Sequence, residues 1–303
     1  MVTKCIVCKS QNIVKSYIVG SYQYFQCTDC LALFLNPLPS AKDLNEYYQN
    51  QFEYDAGLIN KRTLETNAKR IIQNLKKIKP SAKTILDIGS GYGLLLNEAN
   101  RIGLFIKGVE PSIKLFRISK NEIQTATENM SLDEYIKHNP NTKFDLITAV
   151  HVIEHVNDPV SFINLASTLL NSGGILYIET PNIDSHLFHF EKGNYTFLTP
   201  PEHVCLLSKY SFRSMNIKNL KIKLIDTYSY PEHFVGITKK ILGKQKNKNN
   251  IKVENSSQAS NKHTSIIKSL KYFLFDKTLA QLVYRLLNIR DKGSVLELYF
   301  EKL

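Results

Sequence analysis

Two hydrophobic periods alternate along this chain, and the switches between them mark its elements. Apolar, β-branched runs at 84–88, 105–109, 123–126, 144–149 and 174–180 read as strands, each separated from the next by a segment long enough for a helix. Strand and helix alternating at this spacing predict a doubly wound α/β sheet, parallel and joined by right-handed crossovers. Runs at 222–228 and 295–300 supply two more strands. Ser112, Ser131 and Asp158 stand where helix N-caps belong. Ahead of the sheet, an amphipathic pattern over 61–79 ends at Pro80, and Ser40 caps a shorter helix over 41–49. A Tyr-rich loop (Tyr47, Tyr48, Phe52, Tyr54) joins the two.

Nearer the N-terminus, the segments from Ile13 to Ile18 and from Tyr22 to Gln26 flank Gly20-Ser21 and read as a β-hairpin. On either side of it lie Cys5, Cys8, Cys27 and Cys30, two C-x2-C pairs with eighteen residues between them. Such pairs bring four thiolates to one tetrahedral zinc, in a closed and structural site. The competing use, a pair of disulfides, is disfavoured in a cytoplasmic chain. The expected organisation is a zinc ribbon over 1–36, a linker and helical arm over 37–83, and the sheet domain over 84–303. Leu33 to Pro39 reads as an extended, proline-punctuated linker. Cys205 stands alone and reads as an ordinary semi-buried thiol.

Composition adds that the chain folds: 43% of its residues are apolar and 10% aromatic. No apolar run approaches the roughly eighteen residues of a membrane span, and the N-terminus lacks a signal-peptide core, so the expected location is cytoplasmic. The formal charge of +12 is concentrated. Residues 231–290 hold twelve Lys/Arg against Glu232, Glu254 and Asp276, which accounts for nine of the net charges. Within this insertion 239–262 is Lys/Asn/Ser-rich and aperiodic and reads as a mobile loop, while 265–289 reads as one or two amphipathic helices. These helices either pack on the domain with a solvated basic face or touch an anionic surface, a membrane or a phosphate-bearing substrate.

The densest chemistry lies at 84–93, where a strand runs into Gly89, Gly91 and Gly93 and then a helical pattern. That geometry brings backbone close to a nucleotide. Asp87 at the mouth of the turn would repel a pyrophosphate and suit a cationic ligand, as S-adenosylmethionine is. Seventeen residues past Gly93, Glu110 ends the second strand, placed to accept both hydroxyls of a ribose. The fourth strand runs into His151, Glu154 and His155, at the carboxyl end where ligands sit in such sheets. If this segment is helical, the three share one face and suit acid/base work, a facial metal site or plain structural hydrogen bonding. Pro200-Pro201 stiffens a later loop that carries His203, the best single base by position. His186, His189, His233 and His263 read as surface or loop residues.

Together, Asp-Ile-Gly-Ser-Gly-Tyr-Gly, Glu110, Phe-Asp-Leu-Ile and Ile-Glu-His-Val resemble the class I S-adenosylmethionine-dependent methyltransferases. The likeness is to the bacterial type 11, 12 and 23 group that includes ubiquinone-biosynthesis O-methyltransferases, and it runs from about residue 40 to 229 and again at the final strand. The leading ribbon followed by Asn-Pro-x-Pro and Tyr-Tyr resembles a subset associated with sugar, polysaccharide and natural-product pathways. The resemblance implies a Rossmann-like, seven-stranded α/β sheet whose last strand is antiparallel. It implies that Asp87, Gly89 and Gly91 line the cofactor's methionine end, that Ser90 and Gly93 belong to the same cofactor-binding turn, and that Glu110 holds the ribose. Asn129 and Met130 would flank the adenine, and Val150 and His151 would close the far wall. Ubiquinone-type enzymes carry Glu-x-x-Glu-His and a distant His around a divalent metal; here His151 replaces the first Glu, ahead of Glu154, His155 and His203.

The expected function is methyl transfer from S-adenosylmethionine to a small-molecule or glycan (sugar) acceptor, with His203 as base and Zn2+ in the ribbon. A second divalent metal at Glu154, His155 and His203 is the assisted version. The alternative is an RNA methyltransferase that grips phosphates with its ribbon and basic insertion; against it, the ribbon's cations are only Lys4, Lys9 and Lys15.

Overall fold

The hairpin, the strand runs and the cysteine pairs assemble into two sheets that share a core. The computed structural model describes residues 2–40, 42–44, 61–123, 126–230 and 291–303. The Tyr-rich loop, most of the helix expected over 41–49, the basic stretches 239–262 and 265–289, and His233 and His263 lie outside the described residues.

The N-terminal hairpin is β1 (Ile13–Val19) and β2 (Tyr22–Cys27), with Gly20 in the left-handed region at φ 59°. The segment read as a linker departs from expectation: Leu33–Leu35 is a buried strand, β3, paired with β2. Its apolar side chains gain more from burial than the following prolines cost, because pairing ends before Pro37.

Helix α1 (Lys61–Ile78) leads into the large sheet. Its strands are β4 (Thr84–Ile88), β5 (Phe105–Val109), β6 (Thr127–Glu128), β7 (Phe144–Val150) and β8 (Leu170–Pro181). Beyond these, β9 (Cys205–Leu206) joins β3, and β10 (Leu220–Tyr228) and β11 (Val295–Lys302) return to the large sheet. The orders are β1-β2-β3-β9 and β10-β11-β8-β7-β4-β5-β6. Strand β11 runs antiparallel to both neighbours, while β4 to β8 pair in parallel. This is the expected seven-stranded, Rossmann-like sheet with its last strand reversed.

Between the strands lie α2 (Leu94–Arg101), α3 (Ile113–Ile123), α4 (Leu132–His138) and α5 (Pro159–Thr168), with short α6 (His186–Glu191) and α7 (Lys209–Arg213) after β8. Ser131 closes a capping box with Glu134, and Asp158 Oδ1 accepts from Ser161 N at 3.0 Å. Ser112 Oγ accepts from Leu115 N at 3.4 Å. The third strand is the exception: the expected 123–126 becomes Thr127–Glu128, since Ile123 completes α3. An edge strand of two residues leaves little apolar pattern to read.

Period two sorts the core. Ile85, Leu146, Ile175, Tyr177 and Tyr299 face α1 and α2 with Ile71, Leu75 and Leu96. Leu86, Ile147, Ala149, Leu176, Ile178 and Leu298 face the other way, with Ile163 and Ala166 of α5. Cys5, Cys27, Cys30 and Phe34 belong to that second cluster, so the ribbon is packed into the domain's own core. Among the described residues, no helix is long and apolar enough to cross a membrane.

Candidate active site

Every glycine of the turn after β4 occupies the left-handed region that favours glycine: Gly89 at φ 67°, Gly91 at 52° and Gly93 at 74°. A Cβ on Gly89 would sit 2.6 Å from Val152 Cγ2, so the turn lies against the segment that follows β7. Gly89 N and Ser90 N donate to Val109 O at 2.8 and 3.1 Å, tying the turn to the end of β5. There Glu110 is buried, and its two oxygens accept from Gly91 N at 2.9 Å and Ser112 N at 2.8 Å. Asn129 Nδ2 donates to Glu110 O and Pro111 O at 2.8 and 3.1 Å, which fixes this corner. Met130 packs half-buried against the core beside it.

Asp87 is 3% exposed, and Thr148 donates to its Oδ1 at 2.6 Å. Burial, reinforced by the Glu110 charge, pushes its carboxyl up to about 7, against the Thr148 hydrogen bond. Burial raises Glu110 too, opposed by the Ser112 and Gly91 amides. Among the described residues no cationic side chain is bonded to either carboxylate. The buried Ser90 Oγ has no hydrogen-bond partner either. Two buried acids around an open glycine turn fit a ligand that brings its own positive charge and hydroxyls.

On the far side of the turn, the segment after β7 is not helical from His151 onward. His151 lies at φ 54°, outside the single 3-10 turn Ile153–His155, so the one-face arrangement does not form. Instead Glu154 is the hub. His151 Nδ1 lies 3.0 Å from Glu154 Oε1, and its Nε2 lies 3.6 Å from Glu179 Oε1. Burial alone would depress this imidazole, but the two carboxylates raise it to about 10. Thr180 donates to the other Glu154 oxygen at 3.0 Å. Against the cost of burial, the hydrogen bond and charge of His151 hold Glu154 down at about 2. Val150, just before, is half-buried against the α1 side of the core.

His155 and His203 complete the cluster, their rings edge-to-face at 4.9 Å. His203 Nδ1 is 2.7 Å from Phe197 O, and His155 Nδ1 is 3.0 Å from Glu202 O. A carbonyl only accepts, so each Nδ1 carries the proton and each lone pair sits on Nε2. Burial lowers both pKa values, only partly offset by Glu154, which keeps the rings neutral. One ligand atom from each of Glu154, His155 and His203 lies within 4.8 Å of the others. His186 and His189 are exposed, as expected.

A second network escaped the sequence reading. Arg70 of α1 bonds Glu179 of β8 at 3.0 Å and also Glu297 of β11, and it stacks on Tyr228 with its guanidinium 4.0 Å from the ring centroid. The Tyr177 hydroxyl lies 2.7 Å from Glu179 and 2.8 Å from Glu297, and Tyr230 donates to Glu179. The available signal was two acids inside otherwise apolar strands, since a buried carboxylate demands a partner.

In the ribbon, Cys5 and Cys30 sulfurs lie 3.6 Å apart, as do those of Cys8 and Cys27, and all four are free thiols within 4.8 Å of one another. Tetrahedral zinc with bonds of about 2.3 Å needs sulfur edges of about 3.8 Å. The two knuckles match: Lys9 N donates to Cys5 O at 3.1 Å and Leu31 N to Cys27 O at 3.0 Å, with both turn residues at positive φ. Cys205 is fully buried in β9.

Comparison with known proteins agrees with this architecture. A family model described as a methyltransferase domain matches residues 60–219. A ubiquinone biosynthesis O-methyltransferase of Coxiella burnetii is 30% identical over 132 residues, covering 42% of this chain and 56% of its own. One from Xanthomonas campestris pv. campestris is 24% identical over 163 residues, covering 49% and 67%. The chain spans about half the length of several curated relatives it matches. The plantazolicin methyltransferase BpumL, solved in complex with SAH, superposes with a TM-score of 0.52 at 16% identity over 86% of this chain and 93% of that one, a likeness of fold. With the glycine turn, the acid at the end of β5 and the reversed last strand, these matches make the chain a member of the methyltransferase-domain family, of the class I S-adenosylmethionine-dependent type.

Proposed function

We propose that the chain transfers a methyl group from S-adenosylmethionine to a hydroxyl of a small-molecule or glycan acceptor, with His203 as general base. One observation carries the base assignment: a buried, neutral imidazole anchored through Nδ1 shares a cluster with Glu154 and His155 beyond the end of β7. A sugar hydroxyl is a poor nucleophile near neutral pH and needs such a partner.

When bound, S-adenosylmethionine supplies a methyl on a sulfonium, whose carbon–sulfur bond breaks as the acceptor oxygen attacks in line and the thioether keeps the electron pair. His203 Nε2 takes the hydroxyl proton, and the Glu154 carboxylate stabilises the imidazolium that forms. Asp87 would face the cofactor's positive charge, and Glu110 would accept the ribose hydroxyls. Gly89, Ser90, Gly91 and Gly93 would let the cofactor approach the backbone, Asn129 and Met130 would flank the adenine, and Val150 and His151 would close the far wall.

A carboxylate and two imidazoles also suit a divalent cation, and histidines anchored through Nδ1 are oriented as metal ligands are. Such a cation would lower the hydroxyl pKa in place of the histidine base, because a ligating Nε2 has no lone pair left to take the proton. Zn2+ in the four-cysteine site is structural in this reading, since all four positions are thiols. A panel of nucleotide sugars with methyl-labelled cofactor tests the acceptor class. Methyl uptake by one or more supports it, and uptake by bulk RNA alone, weakening steeply with salt, would overturn it.

A further inference from the structure

The ribbon is built around the loop that carries His203. Tyr24 of β2 is fully buried, and its hydroxyl donates to the His203 carbonyl at 2.7 Å across 179 residues of chain. The next residue, Val204, is held from both sides: its carbonyl accepts from Leu35 N at 2.9 Å, and its amide donates to Glu154 O at 2.8 Å. Cys205 and Leu206 then pair with Phe34 and Leu33. Beyond β9, the hydroxyls of Ser208 and Ser211 both donate to the carbonyl of Cys30, at 3.3 and 2.8 Å. Cys30 is one of the four thiols, and the knuckle it shares with Cys27 continues directly into β3. Cys5, Cys27 and Cys30 are fully buried, which leaves the centre of the ribbon facing the domain rather than an external partner.

We infer that the four-cysteine ribbon is a brace for the base: Tyr24, β3 and the Cys30 carbonyl hold residues 203–206 so that His203 stays beside Glu154. Any catalytic consequence rests on the reading of His203 as the base; the mechanical one does not. Tyr24 is a positioning residue, acting through the His203 backbone and never on substrate. Metal held by Cys5, Cys8, Cys27 and Cys30 would fix the Cys27–Cys30 knuckle, which continues into β3, and β3 pairs with β9.

The test compares Tyr24→Phe, Ser211→Ala and Cys8→Ser with the wild-type full chain, each quantified for bound zinc. Amide exchange is read at 203–206 and at the glycine turn 84–93, with cofactor affinity by calorimetry and the kcat and KM of methyl transfer. The brace predicts exchange at 203–206 faster by at least about tenfold, with the glycine turn and cofactor affinity unchanged; His203 as the base adds a fall in kcat without a rise in the cofactor KM. Cys8→Ser should lose zinc and show the largest effect, while Tyr24→Phe and Ser211→Ala keep zinc and still loosen 203–206. Unchanged exchange at 203–206 in all three variants, or acceleration shared equally with 84–93, would overturn the brace. Faster exchange with unaltered kcat would uphold the brace and overturn His203 as base.

Discussion

Asp87 and Glu110 are two acids the chain buries beside one open turn, and their cost to the empty protein supports the proposal of a cationic, hydroxyl-bearing ligand there. Glu110→Ala is expected to weaken S-adenosylmethionine binding more than tenfold, about 1.4 kcal/mol, through loss of a charge-assisted contact to both ribose hydroxyls. Calorimetry checks this, and unchanged affinity would contradict the assignment. Asp87 makes a pH-dependent prediction. Its carboxyl sits at about 7 in the folded protein, against about 3.9 in an unfolded chain. A raised acid favours the folded state below pH 4, and that contribution drains away as pH rises to 7. A cationic ligand reverses the trend: binding of S-adenosylmethionine should tighten as pH climbs from 5 through 7, with proton release on binding. Asp87→Asn should abolish both the slope and the proton release, and a slope that persists in this variant would remove Asp87 from the pocket.

At the scale of elements, what was local was legible. The cysteine pairs, the hairpin around Gly20 and the strand into Gly89 each declare themselves within ten residues, by spacing or by the backbone freedom that glycine supplies. What failed was non-local. Leu33–Leu35 looks like a linker because it is three residues long and runs into Pro37, and the second strand that buries it, Cys205–Leu206, lies some 170 residues away in the chain. His151 looks helical beside Glu154 and His155, yet it takes φ 54° and salt-bridges Glu179, an acid from the next strand. Arg70 sits in an amphipathic helix with nothing local to mark it, and only the fold brings Glu179 of β8 and Glu297 of β11 to it. That pairing carries its own prediction. Arg70→Met leaves buried carboxylates uncompensated and should cost about 3–5 kcal/mol of stability in denaturant unfolding. A loss below about 1 kcal/mol, the range of exposed ion pairs, would mean that the network is solvated.

For the whole molecule, the parallel sheet places two half-sites at one edge. The turn after β4 and the end of β5 carry the two buried acids proposed to hold the donor, and the segments after β7 and before β9 carry the Glu154, His155 and His203 cluster proposed to face the acceptor. The ribbon joins the second half-site through β3 and β9, so one core supports both. In the proposed reading these two groups are separable, cofactor from base. His203→Ala separates them most directly, with S-adenosylmethionine affinity and methyl transfer to the accepted nucleotide sugar measured on the same preparation. Wild-type affinity is expected, with turnover lowered by about 10²–10⁴-fold, the usual worth of a general base. Turnover within a few-fold of wild type would contradict it.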